Sequence, residues 1–450
     1  MNPSIYPSGD VFDVIGIGIG PFNLGMAALL ESVPEIHSLF LEKESDFQWH
    51  PNMMIEGTTL QVPFLADLVS MADVKNEYSF LNYLQEHNRL YQFYFLEKFH
   101  IPRKEYNHYC QWVSERLSSC RFGRDVRGII PIEVEGRTLY QVTAKNVETD
   151  EVEQYITKHV VMGIGTVPFV PEPFREYLGS TVCHTSDYLG KKQEWGRDQS
   201  VVVIGSGQSA AEVFLDVAKT QKEGKGNLQW YTRSKGFFPM EYSKLGLEYF
   251  SPDYTDFFYP LPQSKKDKLI QDQDLLYKGI SAETIAQIYD HLYEQSIGNV
   301  SPNILLQAMT EMTSIYKTDT GWRLDGFHRL KEEKVAADTD IVVLGTGYRP
   351  ALPDFLSKLE EWIPKDEHKR YFIKKDYSLE NQIHAEGKIF VQNGELHTHG
   401  VGAPDLGLGA YRNAVIINQM AGREVYPVHS KNVFQTFGVN DADKHSYVTS

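Results

Sequence analysis

Cysteine is scarce in this chain. Its 450 residues include only Cys110, Cys120 and Cys183, with no C-x-x-C pair. An odd count without that spacing argues against a disulfide framework, a structural zinc site and a dithiol redox centre, and it suits a reducing, cytoplasmic home. Positive charge is also in short supply: 44 Lys and Arg stand against 60 Asp and Glu, for a net charge of −16. No basic cluster can track a phosphate backbone, so nucleic acid is not an expected partner. An acidic protein attracts cationic small molecules instead. The first Lys or Arg is Lys43, so the basic start of a secretory signal is missing. Residues 14–30 are uncharged and mostly apolar, but four glycines, Pro21 and Asn23 interrupt them. That pattern suits a buried strand, a tight turn and a helix rather than a membrane span.

What is present is a globular composition, 42% hydrophobic and 23% charged, long enough for two or three domains. Residues 11–17 (VFDVIGI) read as a buried parallel strand, 23–32 as a helix and 38–42 as a second strand, which makes a βαβ unit. The pattern returns at 200–204, through GSGQSAAEVFLDVAK, to 228–232, and a further strand at 340–344 runs into GTGYRP. Aromatic residues at helical spacing in 78–119 (Phe80, Tyr83, Tyr91, Tyr94, Tyr109 and Trp112), with the aliphatic Leu84 among them, predict a core-facing helical pair. The expected fold is α/β, with two Rossmann-like dinucleotide-binding domains, the second inserted in the first, and a small, mostly helical substrate-binding region. The expected boundaries are 8–197 for the first part of one domain and 198–334 for the other, with 239–300 contributing to the substrate region. Residues 335–426 complete the first domain and the substrate region, and 427–450 form a C-terminal tail.

The first glycine turn is Gly18-Ile-Gly20-Pro21-Phe-Asn23. Such a turn uses one glycine for the sharp bend and another to let a pyrophosphate approach, while the following helix offers free N–H groups and its dipole. Asn23 stands where the third glycine is usual. Glu42, at the end of the second strand, is placed to bind a ribose hydroxyl, with Lys43 beside it. The second turn is Gly205-Ser-Gly207-Gln208-Ser209-Ala210, and the strand after it leads to Arg233 rather than to an acid. A carboxylate there favours NAD. An arginine can pair with the 2′-phosphate of NADP, or it can be a solvated surface residue. Two turns imply two dinucleotides: FAD held at 18–23 and a mobile NADPH at 205–210.

With these residues in place, the chain resembles the N-hydroxylating monooxygenases of siderophore biosynthesis, which act on lysine, ornithine and diamines. The resemblance runs from about residue 10 to 425. It rests on GIGPFNLG at 18–25, FQWHPNM at 47–53, LQVPFLADLVS at 60–70, SFLNYL at 79–84, GSGQSAAE at 205–212, GTGY at 345–348 and HTHGVGAPDLGLGAYRNAVIIN at 397–418. It implies that Trp49, His50, Met53 and Gln61 line the flavin, that Gln208 and Ser209 hold NADPH, and that Gly347 belongs to a C-terminal cofactor turn. Ornithine hydroxylases carry a lysine where this chain has Ala66, and a serine that here is Gly407. Both positions, with Gln61, are read as substrate-side. Loss of a cation suits a substrate without a carboxylate, so the resemblance points to putrescine or cadaverine, with lysine, ornithine and histamine as the alternatives. Gly345 replaces an alanine common in the family, a change expected to be harmless.

The chemistry so implied has NADPH reduce FAD, molecular oxygen add at flavin C4a, and bound NADP⁺ shield the hydroperoxide from water. The substrate amine must be neutral to react, which costs about 4–5 kcal/mol at pH 7 for an amine of pKa about 10.4. A distal ammonium needs a partner, for which Glu248, Asp253 and Asp256 are the candidates. His50 is either a base or a flavin contact. His397 and His399 lack a third ligand at metal spacing, so no metal is expected. A flavin monooxygenase acting on sulfur or tertiary amines is the rival reading, because His184-Thr-Ser-Asp-Tyr188 matches the end of its fingerprint. Leu178 and Ser180 replace the upstream Phe and Gly. The family often forms homotetramers, an assembly the sequence leaves open.

Overall fold

The computed structural model describes residues 4–5, 11–221, 226–298, 302–350 and 353–439. The expected start of the first domain (8–10) and the end of the tail (440–450) lie outside the described residues.

Two parallel sheets organise the chain. In the first, β1 (Val11–Ile17) lies between β2 (Ser38–Leu41) and β3 (Val152–Met162), parallel to both. An antiparallel hairpin, Arg124–Val134 and Arg137–Asn146, extends the β3 side. The second sheet contains β4 (Val182–His184), β5 (Val201–Ile204), β6 (Leu228–Tyr231), β7 (Ile304–Gln307) and β8 (Ile341–Leu344), all parallel in the order β7-β6-β5-β8-β4. The chain then returns to the first sheet as β9 (Ile389–Val391), parallel to the end of β3.

Composition accounts for this layering. The C-terminal half of β1 is buried on both faces, as expected of an apolar run in a sheet covered by helices. Helix α1 (Pro21–Leu30) is buried from Asn23 to its end; apart from Asn23 its residues are apolar or glycine and have to be enclosed on every side. It is held against α8 (Gly409–Ala421) by Asn413 Nδ2 donating to the Phe22 carbonyl at 3.0 Å. Complete burial of side chains such as Leu24 and Leu29 stabilises the fold by about 1.5–3 kcal/mol each. On the second sheet α5 (Gln208–Thr220) covers one face. The antiparallel strands 310–318, 321–328 and 333–339 cover the other, through Met312, Ile315, Leu324 and Ala337.

The aromatic segment 78–119 is only partly core. Helices α2 (Phe80–Glu86) and α4 (Arg103–Ser114) bury Phe80, Tyr83, Leu84, Tyr109 and Trp112. Between them α3 (Leu90–Leu96) buries nothing, and Tyr91 and Tyr94 are 79% and 71% exposed. Helical spacing identifies an apolar face but not which face has a partner. Residues 239–298 are largely helical and include α6 (Pro252–Phe258) and α7 (Ala282–Gln295). The described part of the tail, 427–439, runs over the surface and is mostly exposed, with the Phe437 ring 5.1 Å from Tyr249 and 5.0 Å from Tyr254.

Candidate active site

Each glycine turn leaves the C-terminal end of a central strand, β1 or β5, and each opens a helix whose first residues have no side-chain cap. The turns share a steric design. Gly18 has φ +84°, and a Cβ there would lie 2.6 Å from the Gly163 carbonyl. Gly205 has φ +137°, and its Cβ would lie 2.0 Å from the Gly345 carbonyl. Any other residue would be strained at these φ values and would collide with the neighbouring strand. By contrast, a Cβ at Gly20 or Gly207 would meet nothing closer than 3.9 or 3.8 Å. The open side of each turn faces the free N–H groups of its helix, so both cradles fit the pyrophosphate of a dinucleotide.

Asn23 does not face that space. It is fully buried, donates Nδ2 to the Gly18 carbonyl at 2.8 Å and accepts from Gln392 Nε2 at 2.8 Å. It ties the turn to the segment after β9, so its side chain positions the turn. Its volume fits only because Gly163 opposes it: a Cβ on Gly163 would come within 2.5 Å of the amide. Ala210 and Gly345 repeat this pairing in the second turn, where a Cβ on Gly345 would lie 2.6 Å from that of Ala210. In this chain Gly345 is thus accommodated opposite Ala210, and it is the return of a Cβ at 345 that would crowd the turn.

Glu42 reaches the first turn and accepts the Ile19 N–H at 2.8 Å. Pro21 opens α1, and Lys43 is a surface side chain beside Glu44. At the second turn Ser206 and Ser234 share a hydrogen bond of 2.9 Å, which brings the end of β6 to the glycines. The preceding residue, Arg233, has a side chain 67% exposed and 3.6 Å from Glu311. Gln208 is committed elsewhere. Its Nε2 donates to Glu212 at 2.7 Å and to Thr284 at 2.9 Å, and its Oε1 accepts from the Ser281 N–H at 2.7 Å. The side chain expected to hold cofactor thus joins α5 to α7. Ser209 lies in the first turn of α5, and Gly347, at φ +84° with open space around it, follows β8.

The 47–61 segment lies between the two sheets. Trp49 packs on Tyr106 at 5.0 Å and is anchored by its N–H to Asn107 Oδ1 at 2.7 Å. His50 adopts a left-handed conformation, φ +50°, which is uncommon outside glycine and recurs at functional sites. Its ring has an open face, yet the surrounding protein, with Arg103 nearby, holds its pKa down to about 4. It is neutral at pH 7. Met53 turns away from open space into the hydrophobic core of the second sheet. Gln61 has an enclosed side-chain Nε2 with no hydrogen-bond partner, which is unusual for a buried donor and suits a ligand.

On the substrate side, two residues 341 apart in sequence are neighbours. A Cβ on Gly407 would lie 3.8 Å from that of Ala66 and 2.8 Å from Asp405 Oδ1. Tyr242 closes the group by donating to the Gln61 carbonyl at 3.2 Å. The three expected acids are all occupied. Glu248 accepts the N–H groups of Phe434 and Gln435, Asp253 those of Asn432, and Asp256 pairs with Lys375 at 3.0 Å. Glu248 is thus a clasp for the C-terminal segment. Asp405 and Tyr242 went unnoticed in the sequence, although Asp405 stands two residues before the glycine already singled out.

The remaining histidines are structural. His184 hydrogen-bonds the Gly347 carbonyl at 3.1 Å, and buried Tyr188 donates to Asp216 at 2.6 Å, so the rival fingerprint residues serve packing. His397 bonds the Tyr371 carbonyl, and His399 stacks on Tyr377 at 4.4 Å.

Comparison with known proteins agrees with this geometry. Residues 10–350 match the family model L-lysine 6-monooxygenase/L-ornithine 5-monooxygenase. The chain belongs to that family. It is 43% identical over 435 residues to the rhizobactin siderophore biosynthesis protein RhbE of Rhizobium meliloti, covering 95% of each chain. It is 42% identical over 431 residues to a putrescine N-hydroxylase of Shewanella oneidensis, covering 95% of this chain and 84% of that one. The FAD-bound cadaverine monooxygenase DfoA of Erwinia amylovora superposes with a TM-score of 0.90 at 38% identity, over 96% of this chain and 99% of that one. This family member is therefore a flavin-dependent N-monooxygenase that uses FAD and NADPH. Its substrates are an amine and oxygen. Among the described residues no helix is long and apolar enough to cross a membrane.

Proposed function

We propose that this enzyme hydroxylates one primary amine of a short aliphatic diamine, putrescine or cadaverine, as an early step of hydroxamate siderophore biosynthesis. The observation that carries this is the placement of Ala66 beside Gly407, where a Cβ on the glycine would come within 3.8 Å of the alanine methyl. Where an amino acid would need a cation and a hydroxyl for its carboxylate, this chain sets a methyl group against a bare backbone. The substrates named for the Shewanella and Erwinia relatives support the same reading.

In this reading Gly18, Gly20 and the N-terminus of α1 hold the FAD pyrophosphate, Glu42 the ribose, and Trp49, His50 and Gln61 the flavin ring. Gly205, Gly207, Ser209 and the N-terminus of α5 hold NADPH, with Arg233 on the 2′-phosphate and Gly347 across the cleft. When bound, FAD would supply the redox chemistry, with NADPH as the hydride donor and O₂ as the source of the oxygen that ends on the amine, its other atom leaving as water. The chain's own work is to position and to set protonation. His50 is neutral at working pH and so adds no positive charge beside the flavin. Gln61 offers its free N–H to a ligand. A reacting amine in apolar surroundings is favoured in the neutral form, which offsets the cost of deprotonation.

The test is a hydroxylamine assay with flavin-loaded protein, NADPH and a panel of putrescine, cadaverine, lysine, ornithine and histamine. The diamines should have the highest kcat/KM; a higher value for lysine or ornithine refutes the carboxylate argument. Three free thiols support a cytoplasmic location. We further propose self-association through α3, whose exposed Tyr91, Tyr94 and Phe95 form the kind of apolar patch that marks an interface. Light scattering reads this directly, and a monomer at assay concentration excludes it.

A further inference from the structure

Asp405 sits where three segments of the chain meet, 61–66, the stretch around Tyr242, and 405–407. Its Oδ1 accepts the Gly407 N–H at 2.8 Å. The position of a Cβ on Gly407 would touch both Asp405 Oδ1 and the Ala66 methyl. Tyr242, from the helical region, lies close enough for the Asp405 charge to help push its phenol up to about 12, and the same hydroxyl reaches Gln61. No Lys, Arg or His lies within ion-pair distance of Asp405 among the described residues. Arg412, whose charge acts on it, is itself paired with Glu395 at 2.9 Å. A half-buried carboxylate without an adjacent cation is unfavourable; loss of solvent raises the Asp405 pKa to about 6, against the lowering effect of the Gly407 and Leu408 N–H groups and of Arg412.

Asp405 also caps the short turn 406–408, but capping needs only an acceptor, and asparagine caps as well as aspartate. The cap explains the oxygen and leaves the charge unexplained. Resting on the diamine reading above, we propose that Asp405 receives the distal ammonium of the substrate, in the space that Ala66 and Gly407 leave beside it. The residues that deprive a carboxylate of its partners thereby make room for a cation. Asp405 takes the role that Glu248, Asp253 and Asp256 are too occupied to fill.

The experiment compares FAD-loaded wild type with Asp405→Asn and Gly407→Ser on putrescine and cadaverine, and on n-butylamine and n-pentylamine, which lack the distal charge. Hydroxylamine formation and calorimetric binding are both measured. In Asp405→Asn, kcat/KM for the diamine should fall about ten- to a hundredfold, as for loss of a hydrogen bond to a charged group, and its Kd should rise in step. The matched monoamine should be unaffected, so the preference between the two collapses. A merely structural cap would lower both amines together or neither. Gly407→Ser places its Cβ 2.8 Å from Oδ1 and should weaken diamine binding in the same selective way. Preference retained within about threefold in either variant that keeps its FAD overturns the proposal. Failure of the diamine reading is separate, because it shows in wild type as no hydroxylamine from diamines or as a preference for lysine or ornithine.

Discussion

Glu212→Gln should loosen the join between the two halves of this enzyme. Arg103 leads α4 on the first sheet's side, and Glu212 lies in α5 on the second. Their contact is bidentate, Nη2 to Oε1 at 2.7 Å and Nη1 to Oε2 at 2.8 Å, with side chains only 13% and 3% exposed. Burial raises the Glu212 pKa, and Arg103 opposes that shift. Glutamine keeps the shape and removes the charge, so the guanidinium is left largely buried against an amide. Breaking such a pair costs about 3–5 kcal/mol. Arg103 keeps some solvent contact, which puts the expected loss near 3 kcal/mol. At about 2–4 °C per kcal/mol for domains of this size, the first melting transition should drop by about 6–12 °C. Scanning fluorimetry, with flavin release as a second probe, measures it. Arg103→Met combined with Glu212→Leu should cost less than Glu212→Gln alone, because no charge is then stranded. A drop under about 3 °C in the single variant, or a double variant as unstable as the sum of its singles, refutes the reasoning.

Two further outcomes follow from the site. Gly345→Ala should destabilise the enzyme by about 1–3 kcal/mol, as overpacking does, and raise KM for NADPH, since the new methyl meets Ala210 at 2.6 Å beside the second turn. Melting curves and NADPH titration test this, and a neutral variant would refute it. For pH, Asp405 has a pKa of about 6 against an ordinary value of 3.8, so its carboxylate is present above that value and is lost as pH falls through it. The groups facing it are Arg412 and Tyr242, and the phenol is pushed up to about 12 and stays neutral. Diamine kcat/KM, corrected for monoamine kcat/KM, should therefore fall about tenfold per unit below about pH 6. A flat ratio from pH 5 to 8 refutes it.

The cofactor turns were legible because local rules carry them: a buried strand, two glycines and a helix, all within about fifteen residues. The α3 aromatics misled because spacing cannot reveal whether a face has a partner. Gln208 and Asn23 misled for a related reason. Each sits in a cofactor motif, but its polar side chain is claimed by residues remote in sequence, Ser281 and Thr284 for one and Gln392 for the other. Glu248 was chosen as an unassigned acid, and only the packed C-terminal segment reveals its partners.

Taken alone, the sequence determined the two α/β units, their order, the dinucleotide chemistry and the narrowing to amine hydroxylation, because those depend on short contiguous segments. The tertiary structure decided which polar atoms remain unclaimed. Hydrogen bonds and ion pairs between distant residues use up Gln208, Glu248, Asp253 and Asp256. Among the described residues they leave the Gln61 Nε2 without a hydrogen-bond partner and Asp405, beside Ala66 and Gly407, without an ion-pair partner. Availability is a property of surroundings in three dimensions, which no linear motif carries.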